Sequence, residues 1–129
     1  MPLPVNDPFV AAIRERVCAV VERLPHHSLT DLASHLGLEA DRLGVLLDKG
    51  DEPIDVAFLI DAIAAVVREF AIDPQWLLTG GYDPAEHRRA LSLVEGPRGR
   101  EALRDFVREL YQQLRDGLSL FSWRFAKTH

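Results

Sequence analysis

An all-α fold, five helices followed by one or two more at the C-terminal end, is what this sequence predicts, and three observations predict it. Apolar residues recur at helical spacing in one segment after another. The pairs Asp7-Pro8, Asp73-Pro74 and Asp83-Pro84 each supply a capping carboxylate followed by a first-turn proline. No strand-forming run accompanies them.

Val10, Ile13, Val17, Val20, Val21 and Leu24 make the stripe of a first helix, with Arg14, Arg16, Glu22 and Arg23 mostly outside it, and Pro25 ends it. Ser28 then caps a second helix, with Asp31 three residues on. Leu32, Ala33 and Leu36 form its inner side, Gly37 provides a residue able to take positive φ in a sharp turn, and a third helix follows over 40–48 with Leu43 and Leu46 inward. Asp55 caps a long helix, Val56 to Phe70, apolar around nearly its whole circumference, which must be buried on most sides and forms the centre of the core. Asp73-Pro74 opens a short helix anchored by Trp76 and Leu77 and stopped at Gly80-Gly81. Asp83-Pro84 opens another that runs to about Val94, and Gly96-Pro97-Arg98-Gly99 breaks the chain. Beyond it Leu103, Phe106, Val107, Leu110, Tyr111 and Leu114 form an i, i+3, i+4, i+7 stripe. The tail 118–125 is apolar and aromatic, so it is expected to be covered, as a helical continuation or an ordered coil.

Leu32-Ala33, Leu36-Gly37-Leu38, Gly50 and the segment Ile72-Asp73-Pro74-Gln75-Trp76-Leu77-Leu78-Thr79-Gly80 resemble the phage-repressor, or XRE, family of helix-turn-helix regulators over roughly residues 13–81. The resemblance implies a lambda-repressor-like five-helix domain over 8–81, with 82–129 as a C-terminal helical extension. It also implies a transcriptional regulator that binds operator DNA as a homodimer, and the lack of a membrane-span or signal-peptide pattern leads to the expectation of a cytoplasmic protein. Gly50 sits one residue later than the family's usual glycine. The positions that face the major groove in the family fall here on Glu39, Ala40, Asp41, Gly44 and Val45, with Arg42 and Lys49 as the cations on or beside that helix.

Charge complicates that expectation. The chain carries 15 Lys and Arg against 20 Asp and Glu, a formal net charge of −5. Residues 28–79 hold three basic against ten acidic side chains, whereas 80–129 hold nine against seven. The acidity therefore lies on the segment that would approach a polyanion, where phosphate neutralisation supplies much of the affinity. DNA remains a possible partner but an electrostatically disfavoured one. The alternative is a helix-turn-helix-derived module in transcriptional control whose acidic recognition surface contacts a protein instead.

Other functions find little in the residues. His26, His27 and His35 have no Cys, Asp or Glu at a familiar ligand spacing, Gly80-Gly81 is a helix stop, and no catalytic constellation is present, so neither metal, cofactor nor enzymatic activity is expected. Cys18 lies in an apolar helical pattern and reads as a buried structural thiol. No run of eighteen apolar residues suggests a membrane span. The apolar set Leu103, Phe106, Leu110, Leu114, Phe121, Trp123 and Phe125 exceeds what the end of so small a chain usually hides. It predicts a homodimer through the C-terminal helix, burying about 800 Å² on each partner.

Overall fold

The computed structural model describes residues 8–24, 28–48 and 55–128, with side chains as far as Gly117. The regular elements among them are all helices: α1 Pro8–Glu22, α2 Leu29–Leu36, α3 Ala40–Leu47, α4 Val56–Phe70, α5 Pro74–Thr79, α6 Pro84–Val94 and α7 Gly99–Thr128. The bounds of α4 match those expected from the Asp55 cap and the apolar run. The tail is helical and forms the last part of α7, which at 1.5 Å per residue is about 45 Å long in all.

Local chemistry explains the starts and stops. The Oγ of Ser28 accepts the Asp31 N–H at 3.1 Å, and Asp55, Asp73 and Asp83 each accept the N–H two residues on at 3.0 Å. Each cap satisfies a donor that the first helical turn leaves open. Gly37 ends α2 with φ 70°, and the Leu38 N–H closes the turn on the Ala33 carbonyl at 2.9 Å. Between α6 and α7 the chain turns so tightly that a Cβ at Gly99 would overlap the Val94 carbonyl. The break expected over 96–99 thus ends with Gly99 as the first residue of α7.

One cap departs from the glycine rule. Ala71 ends α4 with φ 55°, the single left-handed non-glycine among the described residues. Left-handed backbone costs an L-residue about 1–2 kcal/mol, of which glycine's extra unfolded-state freedom returns up to about 1 kcal/mol. Ala71→Gly is therefore expected to stabilise the protein by roughly 0.5–1 kcal/mol, read as a higher urea midpoint at unchanged slope. A lower midpoint would contradict this account of the cap.

The core is built around α4, which touches every other helix. Phe58, Leu59, Ile60 and Ala62 through Val67 are all buried, as a helix apolar on most sides requires. From α1 come Val10, Ile13, Val17, Cys18 and Val21; from α2 Leu32, Ala33 and Leu36; from α3 Leu43 and Leu46. In α5 the fully buried pair is Leu77 and Leu78, while Trp76 is only half-buried, so the expected anchor pair moves along by one residue. Ala90 of α6 and Leu103, Val107 and Tyr111 of α7 join this same core, and Tyr111 stacks on Phe9 of α1 at 5.5 Å. Asp73 is the buried acid among the described residues; its Oδ1 caps α5, and its Oδ2 has no hydrogen-bond partner.

Candidate interaction surface

The α2–α3 corner is fixed from inside, by Leu32, Ala33, Leu36, Leu43 and Leu46, and from behind, by arginines of other helices. The Arg14 guanidinium on α1 donates from Nε to the Leu46 carbonyl at 2.8 Å and from Nη2 to the Val45 carbonyl at 3.0 Å. It caps the carbonyl end of α3. Arg68 on α4 does the same for α2, giving Nη2 to the Leu36 carbonyl at 3.0 Å while its Nε bonds Glu69 at 2.9 Å. On the other side of α1, Arg16 serves α5 through the carbonyls of Leu77 and Leu78 at 2.8 and 2.9 Å. Partial burial pushes the Arg16 guanidinium below its usual value, against the opposing influence of Glu15. Short helices leave carbonyls open at the end where their dipoles are negative, and here cations close five of them on three helices.

With Leu43 and Leu46 inward, helical geometry turns Asp41, Val45 and Asp48 outward at i, i+4 and i+7, and all three are exposed. Glu39 caps α3 by its backbone position only, with no side-chain bond, and its carboxylate is exposed. Ala40 and Gly44 are half-buried. Gly44 lies so near α2 that a Cβ there would come within 3.2 Å of a Leu29 methyl. Leu29 and Val45, 40% and 39% exposed, are two of the three large apolar residues that the described surface leaves open, the third being Tyr82. Leu29, Gly44 and Val45 thus form a small apolar strip with Asp41 and Asp48 along its helix.

The cation on this face is engaged within the chain. Arg42 approaches Glu39 at 3.8 Å and Asp55 at 3.6 Å, and its guanidinium lies 5.9 Å from the Phe58 ring centre. Lys49, the other cation expected beside α3, lies outside the described residues.

Of the residues expected to pair two chains, Leu103 is fully buried in the core of its own chain and is not available to a partner. Phe106, Leu110 and Leu114 are half-buried along its flank. Arg89 covers the Phe106 ring at 5.5 Å, beside a cleft of about 210 Å³ that Leu110, Gln75 and Glu86 also line. The side chains of Phe121, Trp123 and Phe125 lie outside the described ones.

The histidines have structural roles that their sequence neighbours did not reveal. His35 stacks on Phe70 at 5.6 Å and faces Glu69 at 3.7 Å. His87 bonds the Ala71 carbonyl through Nε2 at 2.8 Å, and since a carbonyl only accepts, Nε2 carries the hydrogen and Nδ1 is left to accept from the Tyr82 hydroxyl at 3.2 Å. Among the described residues no group of three His, Cys, Asp or Glu is placed to hold a metal ion, and no helix is long and apolar enough to cross a membrane. His26 and His27 lie outside them. Cys18 is buried with its Sγ 3.7 Å from the Leu46 carbonyl. No family model, curated protein or solved structure matches the chain.

Proposed function

We propose that this chain is a helix-turn-helix-derived module of transcriptional control whose α2–α3 face grips a protein partner. The observation that carries the reading is the strip of exposed Leu29 and Val45 with half-buried Gly44, bordered by Glu39, Asp41 and Asp48, on a helix whose one described cation is paired with Glu39 and Asp55. Apolar contact with a charged rim is how protein surfaces recognise one another. A phosphate backbone would find no unengaged cation on the described part of α3 and three acids beside it. The partner this surface suits carries an apolar projection ringed by Lys or Arg.

The second reading, a homodimeric XRE-like repressor on operator DNA, is favoured by the corner itself. A left-handed Gly37 joins two short helices, and the family's groove-facing positions Glu39, Asp41 and Val45 are exposed. Glutamate is able to accept from a cytosine amine, and valine to touch a thymine methyl. A salt titration with genomic and random duplex fragments separates the two. The protein-binding reading expects no retention of any fragment at low salt, and loss of partner capture from cell extract by Glu39→Arg with Asp41→Lys at an unchanged melting temperature. Sub-micromolar affinity for some fragment with a measurable salt slope would overturn it in favour of operator binding.

A further inference from the structure

A second charged feature lies on the far side of the α2–α3 turn and does not depend on how the α3 face is used. The C-terminal end of α2, the turn at Gly37 and Leu38, the middle of α4 and the first turns of α7 enclose a cleft of about 180 Å³. Three arginines line it, Arg68, Arg100 and Arg104, with Asp61 as the one carboxylate and Ala64 and Ala65 as part of its apolar wall.

The arginines are not equivalent. Arg68 is held, by the Leu36 carbonyl and Glu69, which fixes its guanidinium at the cleft wall. Arg100 and Arg104 are exposed, stand one helical turn apart on α7, and make no ion pair or hydrogen bond with any described residue. Arg98, just before α7, pairs with Glu101 at 2.6 Å, Arg108 of α7 with Asp105 at 3.4 Å and Arg89 of α6 with Glu86 at 3.8 Å, whereas Arg88 of α6 also stands without an ion pair but lines no cleft with them. Arg100 does not extend away from the body. Its Nη2 comes within 3.7 Å of the point where a Cβ on Gly37 would sit, and the Nη2 of Arg68 within 3.9 Å of that same point. Two guanidinium heads therefore converge over a residue with no side chain, separated by no more than about twice that distance. A Cβ at position 37 would sit in van der Waals contact with both heads.

Like charges this close repel, and Asp61 forms no ion pair with either. The arrangement is short of an anion. Guanidinium forks match the oxygens of phosphate, and with Arg68 already paired with Glu69, Arg100 and Arg104 against the single carboxylate of Asp61 leave a positive charge for an anionic group to meet. Volume sets the scale. Drug-sized ligands occupy pockets of about 300–1,000 Å³, and a cleft below that range suits a single small oxyanion. We infer that the Arg68, Arg100 and Arg104 cleft is a binding site for a phosphate group, with Asp61 placed to accept from a hydroxyl on the phosphate or on what carries it.

The test uses the full chain and inorganic phosphate, exchanged for chloride at constant ionic strength. The Gly37 amide and the three arginine Nε–H signals are followed by NMR. The expected result is a saturable shift confined to these groups and to Leu38. Arg100→Gln with Arg104→Gln should weaken it about tenfold or more, with the melting temperature in phosphate-free buffer unchanged because neither side chain contributes to the core. Duplex DNA added to the phosphate-saturated protein identifies the source. Persistence of the phosphate signals assigns the site to a free phosphorylated molecule, and displacement at the same residues assigns it to a nucleic-acid phosphate; both keep the site. Shifts that rise linearly without saturation into tens of millimolar, or that persist unchanged in the double variant, would overturn it.

Discussion

Ile63→Ala is expected to lower the stability of this protein by about 2–5 kcal/mol, the range for deleting a fully buried branched side chain whose site cannot collapse. Against a total of about 5–15 kcal/mol for a domain, that is at least roughly an eighth of the stability and up to all of it. Ile63 is fully buried at the middle of α4, next to Leu59, Val66 and Val67 on the inner turns of the one helix that touches all the others. Neighbouring helices are tied by more than this side chain, α3 and α5 to α1 through Arg14 and Arg16 and α2 to α4 itself through Arg68, which opposes their closing on the vacated volume. The melting temperature should fall by roughly 6–20 °C, and Ile63→Val by only a fraction of that, its cost being about 0.5–1.5 kcal/mol. One cooperative transition is expected in both variants. Loss of less than about 1 kcal/mol in the alanine variant would mean that the core relaxes around α4 and that its central position does not bear on the whole fold.

Why α4 was legible and its surroundings less so has a physical answer. A carboxylate cap, an apolar run and a chain length too long for a strand are local signals, and Asp55 to Phe70 carries all three. The Asp-Pro starts of α5 and α6 are equally local, since the capped N–H is two residues from the carboxylate. Ala71 is the opposite case. Its left-handed φ is imposed by α4 turning into α5, and neither it nor Ile72 is a residue type that announces such a turn. The arginine caps were invisible for a different reason: Arg14 and Arg16 serve carbonyls 31 to 62 residues away, which no spacing rule reaches. On the α3 face the resemblance named Glu39, Ala40, Asp41, Gly44 and Val45, of which Glu39, Asp41 and Val45 are exposed and Ala40 and Gly44 half-buried. The state of Arg42 was not readable there, because one of its carboxylates, Asp55, belongs to the next helix. The arginine cleft was missed because Arg68, Arg100 and Gly37 meet only in the fold, and in sequence Arg100 and Arg104 alternate with acids as if all were surface pairs.

Leu103→Ala and truncation after Gly117 are expected to have large and opposite kinds of effect, and together they divide α7 into its two roles. Leu103 is fully buried, in line with Val107 and Tyr111 against α4. Removing its branched end should cost about 2–5 kcal/mol at any protein concentration, since the contact lies within one chain. Truncation after Gly117 leaves Leu103, Val107 and Tyr111 in place and removes Leu118, Leu120, Phe121, Trp123 and Phe125. A two-fold interface needs about 800 Å² from each partner, and Phe106, Leu110 and Leu114 are half-buried on the same helix, α7, whose sequence continues into that apolar segment. If the homodimer expected from the sequence forms there, the full-length protein scatters light as a dimer at micromolar concentration and melts at a temperature that rises with concentration. The truncated chain should keep its helical spectrum, fall to monomer mass and lose the concentration dependence. Leu103→Ala should stay dimeric while melting lower, because its side chain faces its own core. A full-length chain of monomer mass would end the dimer proposal, and a truncated chain that unfolds would instead assign the apolar tail to the core of its own chain.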